Sequence, residues 1–183
     1  MKSQVVAKRY AKALFELAQE EGRLEGCMEE LKVLERLLDE VPEFETVLKS
    51  PIYPEEVKKQ ILKTIKDQTE MSDLLFRFLG LLVDKNRTDY FHDIVRVYEK
   101  LYDEHNNIIR AEVTAATDLD ERIIEKIASS LKEMTGKTVI VEFRKDPDLI
   151  GGVIAKVGDL VLDGSVRTQL RNIKETLKRG ELG

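Results

Sequence analysis

Tryptophan is absent from this chain, and its 183 residues hold one cysteine, two histidines and four prolines. A single cysteine, Cys27, excludes an intrachain disulfide and suits a reducing compartment. Its neighbours Glu25, Glu29 and Glu30 oppose a thiolate, so Cys27 reads as a small residue on a helix flank. Neither His92 nor His105 stands in a ligand spacing with Cys27, which leaves no recognisable metal set. His92 is expected on a helix surface near Asp89 and Asp93. His105 is expected at a helix end, where a cation meets the negative end of the dipole. No apolar run reaches the ~20 residues of a membrane span. The longest candidate, Leu74 to Val83, is too short and contains Arg77. Arg9 and Lys12 interrupt any apolar N-terminal run, so no signal peptide is expected. Aromatic residues are 6% of the chain and the formal net charge is −5, which argues against nucleic acid as the main partner.

Motifs that carry chemistry are also missing. Gly136-Lys137-Thr138 looks like the end of a phosphate-binding loop, but Leu131 stands where that loop needs its first glycine. The order is wrong too, since the tripeptide follows a helix and opens a strand. Gly151-Gly152 lacks the spacing of a dinucleotide fingerprint. No Gly-x-Ser-x-Gly elbow is present. Acidic pairs are abundant but spread over helix faces, where solvation explains them. No catalytic residue, cofactor or metal is assigned.

What is present is helical periodicity. With 42% hydrophobic and 36% charged residues, the chain can bury a core and keep a charged surface. Val6, Tyr10, Ala13, Leu14, Leu17 and Ala18 recur at helical spacing from about Ser3 to Glu21. Leu24, Met28, Leu31, Leu34, Leu38 and Val41 form a second stripe, and Pro42 stops that helix or starts the next. A short helix runs from about Glu43 to Leu48. Pro54 fits the first turn of a fourth, with Val57, Ile61 and Ile65 on one face. The fifth, capped by Ser72 or Asp73, is apolar nearly all round, which places it at a bundle centre or beneath a partner. The sixth runs from Thr88 or Asp89 to about Glu104.

At His105-Asn106-Asn107 the period changes. Ile109, Ala111, Val113 and Ala115 alternate with polar residues as in a strand. Asp118 with Glu121 reads as a capping-box helix start, and Gly136 as its C-cap. A strand follows over Thr138 to Arg144, with Val139, Val141 and Phe143 on one face. Asp146-Pro147-Asp148 and Gly158-Asp159 read as turns around a further strand. The adjacent Gly151 and Gly152, read as lying within that strand, suggest a bulge or a close backbone approach. The last helix carries Val166, Leu170, Ile173 and Leu177. The expected fold is therefore α+β. A six-helix N-terminal bundle, 1–106, precedes a small α+β domain, 107–183, with a mixed sheet and a terminal helix. Residues 1–106 hold 17 basic and 22 acidic side chains, and residues 107–183 hold 13 of each.

Two surfaces remain. Tyr10, Ala13, Leu14 and Leu17 with Leu75, Phe78, Leu79 and Leu82 carry more apolar area than a small bundle needs. Their plain reading is core, and their functional reading is a groove for a partner's amphipathic helix. Arg167, Arg171, Lys174 and Lys178 form a basic stripe one step from the apolar stripe of the last helix. It is either a solvated face or a contact for an acidic protein, anionic lipid or nucleic acid.

Arg9-Tyr10-Ala11-Lys12-Ala13-Leu14-Phe15 resembles the opening helix of the delta-subunit family of bacterial F-type ATP synthases, relatives of the mitochondrial oligomycin sensitivity-conferring protein. Asp148-Leu149-Ile150-Gly151-Gly152 with Asp163-Gly164-Ser165-Val166 resembles the C-terminal signature of that family. The resemblance covers essentially the whole chain. It implies a non-catalytic stator component, one copy per complex, at the cytoplasmic face of a bacterial membrane, and a missing transit peptide agrees. It implies that the helical domain meets the alpha subunits of the catalytic head, with the beta subunits a further contact. The N-terminal helix of an alpha subunit would lie against the first and fifth helices, through Tyr10, Ala13 and Leu14. The C-terminal domain would meet the b subunits of the peripheral stalk. It implies neither nucleic acid nor a membrane span of its own. The alternative from another class is a free-standing adaptor that captures amphipathic helices.

Overall fold

Helical punctuation sets the first half of the fold. The computed structural model describes residues 2–50, 52–158 and 160–180, the side chains at 2, 3 and 178–180 excepted. Helix α1, Lys2–Glu20, buries Ala7, Ala11, Leu14, Phe15 and Ala18, and Gly22 follows it with φ +65°. Helix α2, Leu24–Glu40, buries Cys27, Met28, Leu31, Leu34 and Leu38. Pro42 both stops α2 and opens α3, Pro42–Lys49, because its missing N–H costs nothing in a first turn. Pro54 stands just outside α4, Glu55–Thr69, as its N-terminal flank. Helix α5, Asp73–Asp84, is capped by Ser72, whose hydroxyl accepts from Leu75 N at 3.3 Å. A 3-10 turn over Thr88–Tyr90 leads into α6, Phe91–His105.

These helices share one core. Tyr98 is fully buried and donates its hydroxyl to the Leu24 carbonyl at 3.1 Å, while its ring meets Phe15 edge-on. Burial raises the Cys27 thiol to about 11, so it is inert beside Tyr98. Glu30 joins α2 to the cap of α5, accepting from Ser72 N at 3.1 Å and Ser72 Oγ at 2.6 Å.

The second half follows Asn107, a left-handed residue with φ 52°. Strand β1, Ile108–Ala115, is joined by helix α7, Glu121–Thr135, to strand β2, Thr138–Lys145. Strands β3, Val153–Val157, and β4, Leu160–Asp163, then lead to helix α8, Val166–Gly180. The sheet order is β2-β1-β3-β4, parallel between β1 and β2 and antiparallel elsewhere. A helical crossover is what a parallel neighbour requires. Ala111 opposes Val141 and Val157 in register, and α7 covers that face with Ile127 and Leu131. The fold is thus α+β with a mixed sheet. It divides into two compact units, Met1–Asp103 and Glu104–Gly183.

Three local expectations need correction. Helix α7 is capped by Asp120, whose carboxylate accepts from Arg122 N at 3.0 Å. Asp118 instead pairs with Lys145 at 2.7 Å, which holds its carboxyl below the usual range. The capping-box spacing misled because the helix begins at Glu121 itself. Gly151 and Gly152 precede β3 rather than lie within it. His92 does not pair with Asp89 or Asp93. Its ring nitrogens face Glu35 and Glu45. The Asp159 half of the expected Gly158-Asp159 turn lies outside the described residues.

Candidate docking surfaces

The residues Asp163-Gly164-Ser165 build the start of α8. Asp163 accepts from Ser165 N at 2.9 Å and from Thr168 Oγ1 at 2.7 Å, and Ser165 Oγ accepts from Thr168 N at 3.3 Å. Hydrogen bonds from Ser165 and then Thr168 hold the Asp163 carboxyl below its usual range. Gly152 has φ +84°, and a Cβ there would lie 2.4 Å from Gly164 O and 2.8 Å from Ser165 Cα. Only glycine allows that approach. Gly151 accepts from Val166 N at 3.0 Å, so the glycine pair is stitched to the first turn of α8. Asp148 is exposed, and the turn is held instead by Asp146, which accepts from Asp148 N at 3.0 Å. The signature is architecture. It aims α8.

A cleft of about 500 Å³ opens between α1 and α5, lined by Leu17, Glu21, Arg23, Asp73, Leu74, Arg77, Phe78 and Leu81. Of the eight residues expected in a groove, Leu17 and Phe78 line it. Tyr10 is half-buried and stands edge-on to Phe78, with ring centroids 6.4 Å apart. Ala13 is exposed on α1. Leu14, Leu75, Leu79 and Leu82 are in the core, each 5% exposed or less. Helix α5 therefore has two apolar stripes one residue apart. Leu75, Leu79 and Leu82 face inward, and Leu74, Phe78 and Leu81 form the cleft floor. Sequence reasoning missed Leu74 and Leu81, although the all-round apolar character of α5 was their signal. The rim is mixed in charge. Lys66 pairs with Asp73 and holds its carboxyl below the usual range, with Arg77 adding to the effect.

The second surface is α8. Arg167, Arg171 and Lys174 are exposed, as expected of a basic stripe. The Lys178 side chain lies outside the described residues. Beside them Leu170, Ile173 and Leu177 are 57%, 57% and 66% exposed. The apolar stripe that would ordinarily pack on a core is thus exposed among the described residues, beside the basic one. Among the described residues no group of histidine, cysteine, aspartate or glutamate could hold a metal ion. No described helix is long and apolar enough to cross a membrane.

Residues 6–177 match the sequence model of a family described as ATP synthase delta (OSCP) subunit. The chain is 49% identical over 183 residues to ATP synthase subunit delta of Syntrophobacter fumaroxidans, covering 100% of both. It is 44% identical over 181 residues to ATP synthase subunit delta of Desulfosudis oleivorans, covering 99% of each. Its fold matches a chain in the Toxoplasma gondii mitochondrial ATP synthase hexamer with a TM-score of 0.71. That match covers 93% of this chain and 96% of the other at 22% identity.

Proposed function

This chain belongs to the ATP synthase delta (OSCP) subunit family, and we propose that it is the stator link of an F-type ATP synthase, tying catalytic head to peripheral stalk. The observation that carries this reading is identity of 49% along the full length of a delta subunit. The protein makes and breaks no bond. It resists the torque of the rotor so that rotation is coupled to ATP synthesis.

Helices α1–α6 act as a six-helix bundle for the head. The cleft between α1 and α5 receives the N-terminal amphipathic helix of an alpha subunit. Leu17, Leu74, Phe78 and Leu81 supply an apolar floor, and Tyr10 and Ala13 extend it along α1. Leu14, Leu75, Leu79 and Leu82 support that floor from beneath. Helix α8 receives the C-terminal end of the b subunits, through Leu170, Ile173 and Leu177 and the basic edge of Arg167, Arg171, Lys174 and Lys178. One copy serves each complex, at the cytoplasmic face of a bacterial membrane. Helix-in-groove contacts of standard size bury ~1,600 Å² and hold tightly when preorganised.

Calorimetric titration with a synthetic peptide spanning the N-terminal helix of the alpha chain tests the first site. Saturable one-to-one binding is expected, weakened at least about tenfold by Leu17→Asp or Leu81→Asp in a folded protein, as loss of an interface anchor would do. Absence of binding at high micromolar peptide would remove the cleft as the head contact.

A further inference from the structure

We propose that His92 is a proton-operated clamp holding α6 to α2 and α3, and that loss of its proton releases the α2 side first. The ring stands on the first turn of α6 and its side chain is 29% exposed. Its Nε2 lies 3.0 Å from Glu45 Oε1 on α3, and its Nδ1 lies 3.4 Å from Glu35 Oε1 on α2. A carboxylate oxygen only accepts, so both contacts are hydrogen bonds only when both ring nitrogens carry protons. A neutral imidazole has one N–H. The shorter contact selects the Nε2–H tautomer, which leaves the Nδ1 lone pair facing Glu35. The clamp then holds at α3 and parts at α2.

A lysine stands beside each carboxylate. On α2, Lys32 lies 3.3 Å from Glu35 and 3.3 Å from Glu99 of α6. On α3, Lys49 pairs with Glu45. On α6, Asp93 and Arg96 pair with one another at 3.6 Å. Helices α4 and α5 bring only Leu62, Leu79, Leu82 and Val83 to the cavity beside the ring. Lys32 stays beside Glu35 and still bridges α2 to Glu99 of α6, so the loss is confined to the direct contact between Glu35 and the ring. The Glu45 carboxyl is held below its usual range, first by Lys49 and also by His92. Histidine is the side chain that changes charge between pH 5 and 8. The α2 contact is therefore made in acid and lost as pH rises, whichever partner the helical unit meets.

Hydrogen exchange on the full chain, corrected for intrinsic rates, tests this at about pH 5.5 and about pH 8.5. In the wild type the amides of α2 around Glu35 should open roughly two- to fivefold more readily at the higher pH, as for loss of one water-accessible ion pair. Those of α3 should change less, because the bond from Nε2–H to Glu45 stays and only its charge assistance goes. His92→Gln, with no titrating ring, should abolish the dependence. Glu35→Gln should abolish it too, because its amide can donate to a neutral Nδ1. The same pH dependence in wild type and His92→Gln would overturn the proposal. Nitrogen chemical shifts of the wild-type ring give a readout without a variant. An Nε2–H tautomer at the higher pH supports release at α2, and an Nδ1–H tautomer refutes it.

Discussion

The helical unit and the sheet unit fill their interiors in different ways. The first buries large side chains, among them Leu14, Leu31, Phe78, Phe91, Ile94 and Tyr98. The second buries mostly small ones, Ala111, Val113, Ala115, Ala155 and Val157 with Leu131, and leaves Ile140, Val161, Leu170 and Ile173 exposed. Buried apolar area is what stabilises a small domain, at ~25 cal/mol per Å². The helical unit therefore draws more on side-chain burial, and the sheet unit more on its backbone ladder and its glycine stitch. The same imbalance would suit the two kinds of docking proposed above. One unit offers a cleft in a finished body, and the other offers an unfinished face.

The sharpest way to probe this difference is a core truncation. Leu31 is fully buried on α2, and Leu31→Ala should cost about 3 to 4 kcal/mol by cavity formation. Thermal or urea unfolding monitored on α2 would register it. A cost below ~1 kcal/mol would mean that the helical core is loosely packed after all. The sheet unit should break instead at its backbone. Gly152→Ala combines a left-handed φ with a Cβ 2.4 Å from the Gly164 carbonyl oxygen, and should cost about 3 kcal/mol. Gly136→Ala is its control. Gly136 has φ +68° but open space around it, so only about 1 kcal/mol is expected. Equal costs at the two glycines would deny the stitch between Gly152 and the start of α8.

A smaller effect separates the units by pH. The Glu45 carboxyl is held low chiefly by Lys49. A group with a depressed folded-state pKa contributes stability above its unfolded value, about 4.3 for glutamate, and loses it as pH falls through the folded value. Wild type should thus exceed Glu45→Gln by at most about 1 kcal/mol at pH 7, since the pair is water-accessible. The gap should close in strong acid. Denaturant midpoints for both proteins from neutral pH to about pH 3 measure it. A gap that persists at the acid end would assign the loss to packing rather than charge.

Local signals placed the elements well, and long-range packing decided the rest. Pro42, Ser72 and Gly136 mark helix ends through their own backbone chemistry, so they were legible. The expected cap Asp118 failed because Asp120 stands directly before the helix that begins at Glu121, while Asp118 pairs with Lys145 on another element. The two stripes of α5 are equally apolar, and only the neighbouring helices decide that Leu75, Leu79 and Leu82 go inward. The partners of His92 lie 57 and 47 positions away in sequence, beyond any periodicity argument. On α8 the pattern Leu170, Ile173, Leu177 is a normal amphipathic face. Periodicity reports that a face is apolar and is silent on whether anything covers it.

Leu170→Ala isolates that last point, because it repeats the Leu31→Ala chemistry in the other unit. Leu170 is 57% exposed, so truncation removes little buried area and leaves no cavity. The stability change should stay within about 0.5 kcal/mol, the range of ordinary surface substitutions. The proposed stalk contact predicts a different result once a helix of the stalk is bound. The same methyl groups would then sit in an interface, and truncation of an anchor there costs more than ~1 kcal/mol of binding. Unfolding of the chain alone and titration with a peptide from the C-terminal end of the stalk b chain give the two numbers. A large loss in the free chain would mean that α8 packs on its own sheet in solution, and the apolar stripe would then belong to the core. No loss in either measurement would leave the basic edge of Arg167, Arg171 and Lys174 as the whole of the contact, with an affinity that falls steeply as salt is added.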